Sequence, residues 1–164
     1  MTNITIPSSV TDIGDRAFEN TGLSSVTIPS SVQNGGAYIF AGCSNLQTVT
    51  VNCSDVFEGM FAECSNLQTV NLSNSVTYIA SGAFYNTGLS SVTIPSSVQY
   101  IDTYAFWECY DLQTVTVEAM TPPTLGSDVF WLDNLQEIRV PQAALADYQN
   151  SDWGSYYGSY LVGY

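Results

Sequence analysis

The stretch Asn20 to Gln33 reads NTGLSSVTIPSSVQ, and the same fourteen residues return without change at Asn86 to Gln99. A shorter phrase, CSNLQTV, spans Cys43 to Val49, returns at Cys64 to Val70 and comes back as CYDLQTV from Cys109. Anchored on the leucine, units begin at Leu23, Leu46, Leu67, Leu89, Leu112 and Leu135, spaced 21 to 23 residues apart, and a partial unit enters at Ile4. The shared form is L-x-x-V-x-[IVL]-P-x-S-V-x-x-I-x-x-x-A-F-x-x-[CT]. Self-similarity at this period is the mark of a solenoid, in which one unit cannot bury its apolar side alone and stacked units can.

Within one unit the two-residue alternation of a strand is legible. In Leu23-Ser-Ser-Val26-Thr-Ile28, Val26 and Ile28 point inward while Ser25 and Thr27 point out. Pro29 ends the strand because it has no N–H for a ladder. Val32 turns the chain back, and a phenylalanine plugs the opposite wall at Phe18, Phe40, Phe61, Phe84, Phe106 and Phe130. Seven parallel strands stacked ~4.8 Å apart give a rod on the order of 35 Å long. The third unit is short, and Gly35 stands where other units have Ile13, Ile79 or Ile101. A local distortion around Asn34 to Met60 is therefore expected, without a break in the stack.

Composition narrows the chemistry. The chain has 164 residues, 10% of them charged, with two bases against fifteen acids, no histidine, and a formal charge of −13. Arg16 and Arg139 are the only bases, so the chain has no lysine. Schiff-base lysines, histidine bases, histidine metal ligands and Ser-His or Cys-His pairs are all excluded. Phosphate backbones require a basic patch, so nucleic acid is not expected as a partner, and an anionic membrane surface repels the chain. Leu, Ile, Val and Phe make up roughly a quarter of the residues, above the range of disordered chains. No apolar run reaches the ~18 residues of a membrane span, and Met1-Thr2-Asn3 opens no signal peptide. A secretion signal or anchor therefore lies outside this sequence, or the protein is cytosolic.

The repeats resemble the BspA-like, Treponema-type leucine-rich repeats of bacterial surface proteins. The resemblance is carried by TIPSSVTDIGDRAFENT (Thr5 to Thr21), TIPSSVQYIDTYAFWEC (Thr93 to Cys109) and TPPTLGSDVFWLDNLQEIRVP (Thr121 to Pro141). It implies an α/β repeat solenoid, a right-handed array with a parallel β-sheet on the concave face and short helices or turns on the convex face. Repeats then occupy 1–141, about seven units with the first incomplete, and a C-terminal cap occupies 142–164. The cap is expected to begin with a short helix around Gln142 to Gln149, and Tyr148, Trp153, Tyr156, Tyr157 and Tyr160 are large enough to cover the last unit. The N-terminus starts inside a unit, leaving Ile4 and Ile6 exposed, which points to further repeats, a lost cap, or self-association through that edge. The resemblance also implies an extracellular or cell-surface adhesin that holds host matrix proteins, other bacteria or glycans.

Cysteines and acids offer little chemistry. Cys43, Cys64 and Cys109 share one position with Thr21 and Thr87, which marks a small inward site and favours free, buried thiols over a Cys43–Cys64 disulfide. Cys53 lies past a strand end and is expected to be exposed. With no CxxC and no histidine, zinc is not expected, nor is any other cofactor. Paired carboxylates can cleave glycosides. Asp12 with Asp15, Asp55 with Glu58, and Asp128 with Asp133 nevertheless do not recur as a fixed pair, and no calcium loop is present. A solvated acidic surface accounts for them. Sequons at Asn3, Asn52 and Asn71 matter only in a eukaryotic secretory host.

Two surfaces remain as binding candidates. The outward strand positions read Asn3 and Thr5, Ser25 and Thr27, Thr48 and Thr50, Thr69 and Asn71, Ser91 and Thr93, Thr114 and Thr116, uncharged until Glu137 and Arg139. Such a face suits a neutral glycan or an extended peptide, with Thr27, Thr48, Thr50, Thr93, Thr114 and Thr116 as its hydroxyls. Threonine's ordinary fitness for exposed strands explains it equally. A Thr lattice also suits ice, but leucine-rich sheets curve and ice needs a flat face. The second candidate is aromatic. The residue after the plug is Tyr85, Trp107 and Trp131 in three consecutive units, a stack in which Trp and Tyr suit sugar faces or protein hot spots. Tyr78 and Tyr100 form a second aligned pair. Mutual shielding of the wall is the structural alternative. Non-enzymatic binding of an extracellular protein or glycan is the leading function; a ligand-free spacer and an acidic glycan-processing enzyme are the rivals.

Overall fold

A computed structural model describes residues 4–131 and 134–164. Four-residue strands recur once per unit: β2 (Ser25–Ile28), β4 (Thr48–Val51), β6 (Thr69–Leu72), β8 (Ser91–Ile94), β10 (Thr114–Val117) and β12 (Glu137–Val140). Two-residue strands run on a second wall: β1 (Asp12–Ile13), β3 (Asn34–Gly35), β5 (Asp55–Val56), β7 (Tyr78–Ile79), β9 (Tyr100–Ile101) and β11 (Thr124–Leu125). Pairing is parallel throughout, Val26 opposite Val49 opposite Val70, and Val92 opposite Val115 opposite Ile138. The inward Leu, Val, Ile and Phe side chains merge into one core running the length of the stack.

Seven strands do form the principal wall, but the seventh is not the one the sequence suggested. Ile4 to Pro7 is coil, and the extra strand is β13 (Leu161–Gly163), which returns from the C-terminus to pair with β12. Nor are the first isoleucines exposed. Ile6 is buried and Ile4 half-buried, because both pack with Val10 and Phe18 against the first unit's core.

A third ladder, invisible to the strand pattern, holds the phenylalanine wall. In the first four units the N–H groups two before the plug, at the plug and two after it donate to carbonyls of the next unit, and in the fifth Tyr104 and Phe106 do so. Examples are Tyr38 to Glu58, Phe40 to Met60 and Gly42 to Ala62, at 2.8–2.9 Å. To alternate N–H directions in so tight a curve, the two flanking positions take left-handed backbone. Every positive-φ residue among the described ones sits at one of them: Arg16, Tyr38, Gly59, Gly82, Tyr104 and Asp128 before the plug, Asn20, Gly42, Glu63, Asn86 and Glu108 after it. The plugs stack face to face from Phe18 to Phe130, with centroids 5.1–5.6 Å apart and planes within 18°. The described units of this wall hold turns rather than helices; the helices lie in the C-terminal segment.

The irregular third unit does leave a mark. The short-strand ladder is interrupted between β3 and β5, while the principal wall stays continuous there and parts instead between β6 and β8. The interruption has a steric origin. A Cβ on Gly35 would lie 2.2 Å from the Phe57 ring, so Phe57 occupies the space that isoleucine fills in other units. Gly35→Ile should therefore cost about 1–3 kcal/mol by overpacking. In a Phe57→Ala background the same change should cost little or nothing, because the cavity receives it. A urea double-mutant cycle checks this; additive costs would mean that the ring is not what excludes the side chain.

All four cysteines are free and buried, Cys53 included. Cys53 had been expected at the surface, but its thiol turns inward and donates to the Asp55 carbonyl at 3.2 Å. The Thr/Cys interchange now has a reason. Cys43, Cys64 and Cys109 donate their thiols to the carbonyls of Phe18, Phe40 and Phe84, and Thr21 donates its hydroxyl to Phe18. Desolvation pushes the Cys64 thiol up to about 12, so it is inert at neutral pH.

Beyond β12 the chain closes the stack. A 3-10 turn at Gln142–Ala144 leads into α1 (Leu145–Gln149) and α2 (Asp152–Tyr157), the latter capped by Ser151, whose hydroxyl accepts the Trp153 N–H. Trp153 and Tyr157 pack on Phe130, with centroids 5.9 and 5.4 Å away. Trp153 Nε1 donates to the Pro123 carbonyl at 2.8 Å and Tyr148 Oη to the Ala119 carbonyl at 2.9 Å. Tyr157 Oη accepts the Phe130 N–H at 3.3 Å, the bond a further repeat would otherwise make. Tyr156 is not part of this lid and remains 62% exposed, and Tyr160 is half-buried.

Candidate functional site

The aromatic candidates do not form one surface. Tyr78 and Tyr100 stack at 5.5 Å on the outer side of the short strands β7 and β9, with planes 18° apart. Tyr85, Trp107 and Trp131 belong to the phenylalanine wall, but they do not stack as three. Trp107 and Trp131 meet edge to face at 4.7 Å, whereas Tyr85 points its hydroxyl onto the Glu108 carboxylate at 2.6 Å. Trp131 also abuts Tyr110, and its Nε1 is buried with no hydrogen-bond partner among the described residues. The edge-to-face geometry follows from ring electrostatics, since the positive edge of one indole prefers the negative face of the other.

What this wall contains, and the sequence reading missed, is a cleft. Its volume is about 690 Å³, and it runs across units from Arg16 to Asp128. It exists because side chains are absent. At the position two before the plug, two consecutive units carry Gly59 and Gly82, of which Gly59 is covered by the Tyr38 ring and Gly82 is open, and just after the plug two consecutive units carry Ala41 and Ala62. A Cβ on Gly82 would find only Tyr85 Cβ nearby, at 3.8 Å, so the floor there is open. Tyr38, Tyr85, Tyr104 and Trp107 supply its aromatic lining. The rim is acidic: Glu19, Glu58, Glu63 and Asp128 against Arg16. A second hollow of about 480 Å³, lined by Trp131, Tyr156 and Tyr157, shares Trp107 and Asp128 with the first.

Electrostatics on this side are set by tyrosine–carboxylate pairs. The Glu108 carboxylate holds the Tyr85 phenol in its neutral form and pushes its pKa up to about 12; Asp102, 2.6 Å from Tyr78 Oη, does the same to Tyr78. A phenol raised above its unfolded value of about 10 adds stability that is fully present below pH 10 and lost as pH rises through 12. An ultraviolet absorbance titration should show Tyr78 and Tyr85 ionising late, together with Tyr148 and Tyr157, which burial raises. Glu108→Gln should return one of them toward 10, and an unchanged titration curve would mean that the hydrogen bond does not govern Tyr85.

The strand-face hydroxyls lie as the alternation requires. Thr27 pairs across to Thr50, Thr48 sits between Ser25 and Thr69, and Thr93, Thr116 and Arg139 make one row beside Thr114 opposite Ser91. None of the described clefts is formed by these six threonines. The carboxylate pairs do not resemble a catalytic site. Asp12 accepts from Thr11 and Asn34, which lowers its pKa, and Asp15 accepts the Ala37 N–H, so both serve contacts between or within units. Asp133, like Asn3, lies outside the described residues. Among the described residues no group of three or more metal-ligating side chains is gathered. No described helix is long and apolar enough to cross a membrane.

The comparisons agree with this architecture. A solved leucine-rich repeat protein from Bacteroides ovatus is 31% identical over 90% of the chain, with a TM-score of 0.77. The chain spans 39% of that protein's length. A Treponema pallidum leucine-rich repeat protein is 24% identical over 77% of the chain and 73% of its own, with a TM-score of 0.49. A leucine-rich cell surface protein from Faecalibacterium prausnitzii is 22% identical over 86% of the chain and 64% of its own, at 0.42. No curated protein matches the chain. The model of the BspA type leucine rich repeat region matches in six copies over residues 1–113 and 52–151, and with the plug ladder and paired strands repeating at that period, the chain belongs to this family.

Proposed function

We propose that the chain is a non-enzymatic binding module of a bacterial surface or secreted protein, and that it holds an extracellular protein in the cleft of the phenylalanine wall. The observation that carries this reading is the cleft itself. A concave, aromatic-lined groove with an acidic rim interrupts an otherwise regular repeat, and interfaces concentrate Trp and Tyr in such places. The family and the description of the Faecalibacterium relative as a cell surface protein support the location. The lack of lysine and histidine, and the engagement of Asp12 and Asp15 in structural bonds, support a binding role over glycan processing. A second reading, a neutral glycan on the threonine face, rests on the aligned rows of Thr27, Thr50, Thr93 and Thr116.

An array of extracellular-matrix proteins and glycans, probed with the chain and with Trp107→Ala/Trp131→Ala, tests the proposal. A protein hit lost in the variant supports the cleft. A hit that survives moves the site to the threonine face, and silence across the array favours a spacer.

A further inference from the structure

The chain contains two guanidinium groups, and both are held in the same way. Arg16 Cζ lies 4.9 Å from the Tyr38 ring centroid with a guanidinium nitrogen 2.5 Å from the Glu19 carboxylate. Arg139 Cζ lies 5.7 Å from the Tyr164 centroid, with Glu137 at 3.8 Å. A flat, weakly hydrated cation over a tyrosine face and beside a carboxylate is a favourable pairing in this fold.

The first of these pairs lies inside the cleft, and the repeat offers the same placement again without its cation. Arg16 stands two residues before its plug and reaches the tyrosine at the same position of the following unit, Tyr38. Three units further on the corresponding pair is Gly82 and Tyr104. Tyr104 is 44% exposed, and the space over Gly82 is open. The same cleft is lined by Glu58, Glu63 and Asp128, exposed acids with no side-chain hydrogen bond or ion pair among the described residues, and Trp107 supports the Tyr104 ring edge to face at 5.5 Å.

Resting on the proposed binding role, we infer that the cleft accepts the side chain of an arginine from a basic, extended segment of a protein partner, seated over Tyr104 as Arg16 is seated over Tyr38. Charge complementarity selects this occupant: the rim is acidic, the whole chain carries −13, and the Tyr104 ring favours a guanidinium over a hydrated ammonium.

The probe is a fluorescein-labelled hexapeptide alternating glycine and arginine, followed by anisotropy at physiological salt, with the lysine counterpart alongside. Affinity for the arginine peptide should fall about tenfold in Glu58→Gln/Glu63→Gln and in Tyr104→Leu. Glu118→Gln/Asp147→Asn removes the same charge from exposed positions outside the cleft and should leave affinity within about twofold. Circular dichroism confirms that the variants fold. Equal weakening by both charge pairs would reduce the effect to bulk attraction, and equal binding of the lysine peptide would remove the guanidinium; either result overturns the inference. Absence of arginine-peptide binding beside a Trp107-dependent protein hit on the array would overturn it as well, while leaving the binding module standing.

Discussion

Phe84→Ala should lower the stability of the chain by about 3–5 kcal/mol, a large share of the 5–15 that holds a typical domain. The ring is fully buried and stacked on both sides, 5.6 Å from Phe61 and 5.1 Å from Phe106. Its removal deletes two ring contacts and leaves a cavity that the ladder on either side prevents from collapsing, because the Phe84 N–H is tied to the Ala105 carbonyl and the Phe61 N–H to Ala83. In a stack, stability is a sum of nearest-neighbour terms. A gap in the middle therefore uncouples the two halves, and the single unfolding transition should broaden or split in urea. The same substitution at Phe18, half-buried and stacked on one described ring, should cost no more than about half as much. Equal losses at Phe18 and Phe84 would show that the ladder is a row of independent plugs.

Trp153→Ala should be comparably severe, about 3–5 kcal/mol, and should act at one end. Trp153 has no exposed surface, lies on Phe130 and Tyr148, and bonds the Pro123 carbonyl. Without it the two short helices have little to hold them, since five- and six-residue helices do not persist alone. The strand that follows them, β13, should then leave β12, so amide exchange should speed at Leu161 to Gly163 and at the β12 partners while β4 keeps its protection. Trp153→Phe keeps most of the packing and should hold β13 in place at an intermediate cost. If β13 amides stay protected in Trp153→Ala, the lid is held by Tyr148 and Tyr157 alone.

The inward set of the fold was readable because it is made of what recurs: Leu, Val and Ile at two-residue spacing, and a phenylalanine per unit. The third ladder was not. Six of its eleven left-handed positions carry Gly, Asn or Asp, residues that tolerate positive φ, but Arg16, Tyr38, Tyr104, Glu63 and Glu108 share those positions and mask the signal. The cleft escaped for a related reason. Aromatic residues drew attention to Tyr85, Trp107 and Trp131, whereas the hollow is defined by Gly82, Ala41 and Ala62, where side chains are short or lacking. Aligning the units and marking the runs of small residues would have found it, with Tyr38 and Tyr104 on its walls. Trp131 shares a repeat position with Tyr85, but equal position did not bring equal surroundings. The last unit meets the lid instead of another repeat.

The ladder around the plugs has one more property. Its peptide groups all point the same way, N–H toward the C-terminal end of the stack and C=O toward the beginning, from Arg16 through Phe106. Aligned peptide dipoles sum along an axis as they do in a helix. This wall is thus polarised lengthwise, positive where the chain closes and negative where the repeats start, the reverse of a helix read in the same chain direction. The two charged residues at opposite ends of the cleft agree with that field: Arg16 stands at the negative pole and Asp128 at the positive one. Each repeat inserted between them would lengthen the dipole without changing the charge at either end.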